Sequence, residues 1–318
     1  MSNDPPTALA PSSAALARWL RKLPQFARAE VVAIETLDGG ASNITCRVRL
    51  EHALVGDVVL RMQRDRGIFE PYDVVREGEV LRRLHGSGVP VPRLIGSEPG
   101  SLAMGAPFIV MEWVDAPHMG VAGPEASYPA FTAAVAAIHA LDWRRLGLDF
   151  LGVPANAAAG LEGELALISV RMGRFVGSRE PLLTRAAARL RETLPRDGSL
   201  ALCQGDINVF NYLFRAQKVV SVVDWEQARI SDPRSDIGQL VALSHLKGLP
   251  FGPAGDAPFV RAYEAAVGRS VPGMAWFRGR WLWELGVIYH GWKAFNESDP
   301  WYTWSDLVHL LDASLAEL

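Results

Sequence analysis

The residues with the clearest chemical potential lie between positions 204 and 226. The chain reads Gln204-Gly205-Asp206-Ile207-Asn208-Val209-Phe210-Asn211, and later Val222-Val223-Asp224-Trp225-Glu226. An Asp with an Asn five positions on, and a second Asp 224 − 206 = 18 positions on, supplies a carboxylate able to take a hydroxyl proton and two hard oxygen ligands for a cation such as Mg2+. Taken singly, Asp206, Asn211 and Asp224 are ordinary turn and strand-end residues. Their order and the apolar strands around them point to phosphoryl transfer, with Asp206 as base and Asn211 and Asp224 as metal ligands.

The first third carries a second group of candidates. Leu37-Asp38-Gly39-Gly40-Ala41-Ser42-Asn43 falls between two strand patterns. Gly39 and Gly40 let backbone amides approach a phosphate, and Ser42 and Asn43 add donors; a Gly-Gly hairpin turn explains the same residues. Arg61, in Val58-Val59-Leu60-Arg61, puts a permanent cation on the third strand, able to grip phosphate through two parallel hydrogen bonds. Its expected partner is Glu77 on the next helix, with Glu79 as the rival, and the plain alternative is a solvated Arg on an edge strand. His139, in Ile138-His139-Ala140-Leu141-Asp142, is read as a packing residue and left out of the site.

These motifs resemble those of the aminoglycoside phosphotransferase and choline kinase superfamily. The family text is His-Gly-Asp, four residues, Asn, then Ile-Asp-Trp-Glu, followed by Asp-Pro-x-x-Asp, which Asp232-Pro233-Arg234-Ser235-Asp236 matches. The resemblance implies a protein-kinase-like fold, ATP and Mg2+ as cofactors, and a small-molecule hydroxyl as acceptor. It gives Asp236 the task of bracing the catalytic loop, and it matches the 39–43 segment to the family's Gly-Gly-x-Ser-Asn. Gly105 to Val114 resembles the strand entering the interlobe hinge. Met111 then stands at the gatekeeper position, and the backbone of Glu112, Trp113 and Val114 faces the adenine edge. Gln204 departs from the family, which usually has His there.

Elements able to position these residues are legible in the pattern. Leu16, Trp19, Leu20 and Leu23 show helical spacing behind Ser12, predicting a helix over 12–28. Residues 31–37, 44–50 and 57–62 read as strands, and 74–88 as a helix ended by glycines. After an extended Pro90/Pro92 connector two further strand candidates follow, the last at 107–114. From about residue 115 the pattern is helical, including 127–143 and at least one helix in 161–195. The exception is 201–226, read as two strands around a turn at 215–218. The expectation is an α+β, protein-kinase-like two-lobed fold. Residues 1–114 form an N-terminal helix and an antiparallel β-rich nucleotide-binding lobe, and 115–318 a mainly helical catalytic and substrate lobe.

Bulk properties narrow the function. The 318 residues suffice for about two domains. A net charge of −3 gives no basic surface for nucleic acid. Cys46 and Cys203 cannot form a disulfide framework and read as buried thiols. No secretory pattern and no membrane-length apolar run occur, so the expected compartment is the cytoplasm. Trp276, Phe277, Trp283, Tyr289, Trp301, Tyr302 and Trp304 exceed what the helical stripe of Trp281, Leu285, Ile288 and Trp292 requires. That surplus suggests a partly apolar or aromatic acceptor. A kinase-fold nucleotide-binding protein without transfer activity is the alternative. A protein-substrate kinase is disfavoured by the seven residues at 225–231, too few for an activation loop.

Overall fold

The computed structural model describes residues 11–37, 42–53, 55–122, 124–246, 256–296 and 298–318. Gly39 and Gly40 therefore lie outside the described residues. The chain divides into two compact units, one of Met1–His85 with Val91–Asp115, the other of Gly86–Pro90 with Ala116–Leu318.

Among the described residues the first unit is a five-stranded antiparallel sheet in the order β1-β2-β3-β5-β4, with two α-helices. The strands are β1 (Glu30–Thr36), β2 (Ile44–Glu51), β3 (Val58–Met62), β4 (Leu94–Glu98) and β5 (Phe108–Glu112); the helices are α1 (Ser13–Leu20) and α2 (Val74–Leu84). Alternation divides the sheet into two faces. Cys46, Val48, Leu60 and Val110 form one, in a core with Leu16, Trp19 and Leu20 of α1. Register pairs Arg61 with Thr45 and Ile109, and Val59 with Arg47 and Met111, so these residues share the other face. α1 begins as expected, with Ser12 Oγ accepting from Ala15 N–H at 3.3 Å. It stops at Leu20, earlier than the predicted residue 28, and Pro24 opens a separate tight turn because it has no N–H to extend a helix.

The second unit carries α3 (Met119–Ala122), α4 (Pro124–His139), α5 (Ala157–Phe175), α6 (Pro181–Glu192), α7 (Arg234–His245), α8 (Asp256–Val267), α9 (Met274–Phe295) and α10 (Trp304–Ala316). Two short antiparallel pairs lie among them: β6 (Ala201–Cys203) with β9 (Arg229–Ser231), and β7 (Tyr212–Arg215) with β8 (Lys218–Val222). The 201–214 segment, read from sequence as one strand, is thus two strands separated by the candidate loop. The β7–β8 turn falls at Ala216 and Gln217, both with left-handed backbone (φ 48° and 62°).

Helix α9 is the axis of this unit, packed by α5, α6, α7 and α10. Gly238 lets α7 approach it, since a Cβ there would lie 2.5 Å from Phe277 Cβ. Trp276, Phe277, Trp283 and Tyr302 are buried. The surplus aromatics expected to wall an acceptor site are therefore mainly core; Trp301 is exposed, and Tyr289 and Trp304 are half-buried. Cys46 and Cys203 are buried free thiols, and burial pushes both up in pKa.

Candidate active site

The 204–211 loop leaves β6 through Gly205, whose φ of 89° is left-handed. A Cβ at this position would stand 2.3 Å from the Gln227 carbonyl oxygen, so both backbone conformation and space demand glycine. Asp236, in the first turn of α7, accepts from Gln204 N–H at 2.8 Å and from Gly205 N–H at 3.2 Å. His139, excluded from the site by sequence reasoning, holds Asp236 from behind. Its Nε2 lies 3.2 Å from Asp236 Oδ2 and its Nδ1 2.7 Å from Tyr263 Oη.

Gln204 occupies the place of the family's His with a bridging amide. Its Nε2 donates to Val223 O at 2.8 Å, and its Oε1 accepts from Tyr212 Oη at 2.8 Å. The loop is thereby tied to β7 and to the residue before Asp224, whose backbone is left-handed (φ 62°). That conformation is uncommon for a residue with a side chain and is held here by its surroundings.

Asp206 is half-buried and takes three amide donors. Asn208 Nδ2 and Asn211 Nδ2 reach Oδ2 at 2.8 and 2.9 Å, and Gln239 Nε2 reaches Oδ1 at 2.5 Å. Burial, then the Asp224 charge, raises its pKa, while the three amides act against the rise. Val223 N–H donates to Asn211 O at 2.9 Å, tying the residue before Asp224 to Asn211. Asp206, Asn211 and Asp224 are thus brought together. The Asn211 amide nitrogen is engaged with Asp206, so its side-chain oxygen is the atom left to offer a cation. That oxygen and the Asp224 carboxylate are both hard donors, the kind Mg2+ takes.

A buried lattice of charge lies behind the loop in the same unit. Glu164 pairs with Arg229 (3.1 Å) and Arg280 (2.8 Å), and accepts from Ser231 and Ser235 at 2.5 and 2.6 Å. Arg280 continues to Glu284 (2.7 Å), and Glu284 to Arg171 (3.0 Å). Burial works to raise the Glu164 pKa, but Arg229, Arg280 and the two hydroxyls outweigh it and hold the carboxyl down at about 2.

In the first unit Arg61 meets Glu77 at 2.7 Å, both side chains less than a tenth exposed. Glu79 is engaged instead by Arg82 and Arg83, which settles the choice of partner. Ser42 and Asn43 are buried, and Asn43 Oδ1 accepts from Arg64 N–H at 3.3 Å, a loop-fixing bond not anticipated from sequence. Met111 is buried on β5. Glu112 N–H is taken by Arg93 O (3.0 Å) and Trp113 N–H by Asp57 O (3.3 Å). The Trp113 ring lies 4.5 Å from the Arg47 guanidinium, beside a cavity of about 230 Å³ lined also by Asp57, Glu112 and Asp115.

The model of the phosphotransferase enzyme family, APH, matches residues 33–280, and the chain belongs to that family. A protein from Ralstonia eutropha JMP134 assigned to the aminoglycoside phosphotransferases superposes with a TM-score of 0.74 at 18% identity, covering 97% of this chain and 99% of that one. A thermostable mutant of aminoglycoside phosphotransferase APH(4)-Ia, solved with ADP and hygromycin B, gives 0.61 at 13% identity, covering 95% and 98%. These likenesses establish the α+β, protein-kinase-like fold. Among curated proteins, mouse acyl-CoA dehydrogenase family member 10 is 27% identical over 212 residues, which span 63% of this chain and 19% of that protein's length. Among the described residues no helix is long and apolar enough to cross a membrane.

Proposed function

We propose that the protein transfers the γ-phosphoryl group of ATP to a hydroxyl of a small molecule, with Asp206 as base. The observation that carries this reading is the convergence of the 206, 211 and 224 positions through the Asn211–Asp206 and Val223–Asn211 hydrogen bonds. The acceptor hydroxyl gives its proton to the Asp206 carboxylate as its oxygen bonds the γ-phosphorus. The bond from that phosphorus to the β,γ-bridging oxygen breaks, and ADP leaves with the electron pair. Asn211 and Asp224 would hold Mg2+, which supplies charge neutralisation on the transferring phosphates. Arg61, paired with Glu77, is the cation assigned to phosphate, with Ser42 and Asn43 as further donors from the preceding segment. Because Glu112 and Trp113 already use their N–H groups, Val114 N–H is the donor assigned to the adenine edge.

The test is Mg2+-dependent ATP consumption across a metabolite library, with the Asp206→Asn protein as control. The panel spans amino sugars, apolar and aromatic alcohols, and hydroxylated acyl thioesters, the last because relatives carry acyl-CoA in their names. Acceptor-dependent turnover that vanishes in the control supports the reading. Binding of ATP without turnover on any acceptor would leave a nucleotide-binding protein instead.

A further inference from the structure

Gln239 appears in no motif noted from the sequence, yet it touches the base directly. It sits on α7 three residues after Asp236, a spacing that sets two side chains on one helix face. Asp236 holds the amides of residues 204 and 205; Gln239 holds the next part of the loop. Its Oε1 accepts from Ile207 N–H at 2.8 Å while its Nε2 donates to Asp206 Oδ1 at 2.5 Å. The side chain is buried, at 5% exposure, so the amide is held in place and not sampling solvent. One helix face therefore fixes four consecutive loop residues.

The donors on the carboxylate are unequal. Oδ2 receives two amide hydrogens, from Asn208 and Asn211, whereas Oδ1 receives one, from Gln239. A carboxylate oxygen has two lone pairs. Oδ2 is filled, and Oδ1 keeps one position for a further hydrogen.

Resting on the phosphotransfer reading above, we infer that Gln239 is a positioning residue for the transfer. It turns the Asp206 carboxylate so that the open lone pair of Oδ1 receives the acceptor's proton. The fixed orientation removes carboxylate rotation from the reacting state, the kind of placement for which an error of about 1 Å can lower a rate ~10²-fold.

Two variants separate orientation from loop support. Gln239→Met keeps side-chain length and loses both bonds. Gln239→Glu, assayed at alkaline pH so that the introduced carboxyl is ionised, keeps an acceptor for Ile207 N–H and loses the donor to Asp206. The probe is Mg2+·ATP turnover with water as acceptor, alongside the thermal midpoint and the affinity for Mg2+·AMP-PNP. Expected is a fall in kcat of about 10- to 100-fold in both variants, with KM for ATP and nucleotide affinity within about twofold of wild type. Wild-type kcat in Gln239→Glu would overturn the inference, since loop support alone would then explain the side chain. Equal losses in kcat and nucleotide affinity would overturn it as well. Asp206→Asn runs in parallel: full turnover there removes the phosphotransfer reading itself, whereas loss there with an unaffected Gln239→Glu removes only the role of Gln239.

Discussion

Two parts of the helical unit hold polar groups in opposite ways. The 204–211 loop is fastened by backbone N–H groups and neutral amides, from Gln204, Asn208, Asn211 and Gln239, around one half-buried carboxylate. The lattice behind it pairs full charges: Arg171, Arg229 and Arg280 against Glu164 and Glu284, with Asp236 at the boundary 3.8 Å from Arg229. Amides orient a carboxylate without neutralising it, leaving Asp206 able to accept a proton. Charges in a dry interior must match, because removing one strands its partners. On the proposed function the loop serves chemistry and the lattice the folded state, and substitutions should separate along that line.

The largest effect tests the loop. Asp206→Asn is expected to lower turnover by about 10²–10⁴ while the thermal midpoint stays close to wild type. A collapse of the fold in this variant would erase the distinction. Glu164→Gln tests the lattice, leaving Arg229 and Arg280 short of a counter-charge. Chemical denaturation should register a loss of about 3–5 kcal/mol, and a loss below 1 kcal/mol would show the lattice to be dispensable.

Acid sharpens that second test. Glu164 has its carboxyl depressed from 4.5 to about 2 in the folded protein. Its contribution is complete above its unfolded value and disappears as pH falls from about 4.5 through about 2. The stability curve of Glu164→Gln should be flatter than that of wild type across this window. An equally steep pair of curves would assign the acid sensitivity elsewhere.

Gln204→Ala falls between the two regions. It leaves the Tyr212 hydroxyl and the Val223 carbonyl without their bridge, so stability should drop by about 1–3 kcal/mol and turnover should fall with it. Retained turnover would mean that Asp224 does not depend on this tie. The smallest effect is expected at Arg185→Ala, which breaks a pair with Asp312 in which both side chains are more than 60% exposed. Denaturation should shift by no more than ~1 kcal/mol.

What could be read in advance follows from sequence separation. Asp206, Asn211 and Asp224 are joined by one hairpin, so spacing alone suggested their convergence. The strands themselves were equally accessible, because alternation is a local signal. Their register was not, and Glu77 was expected as the Arg61 partner with Glu79 left as the rival. The bond from Arg171 to Glu284 spans 113 positions, and His139 meets Asp236 across 97. No periodicity encodes such meetings. Gln239 lies nearer, one helical turn after Asp236, but a neutral amide carries no charge or periodic signal that marks it. The aromatic residues of α9 misled for another reason: helical spacing counts apolar faces, and this helix is enclosed on nearly every side.

The hairpin that presents Asp224 closes through alanine and glutamine, both bent into a left-handed shape that asparagine and glycine adopt with less strain. Replacing Ala216 by Asn and Gln217 by Gly should therefore tighten a solvent-facing corner at the opposite end of the ribbon from Asp224. The chain keeps unspent reserve at that corner, and an engineer seeking a hardier protein could draw on it without disturbing the chemistry.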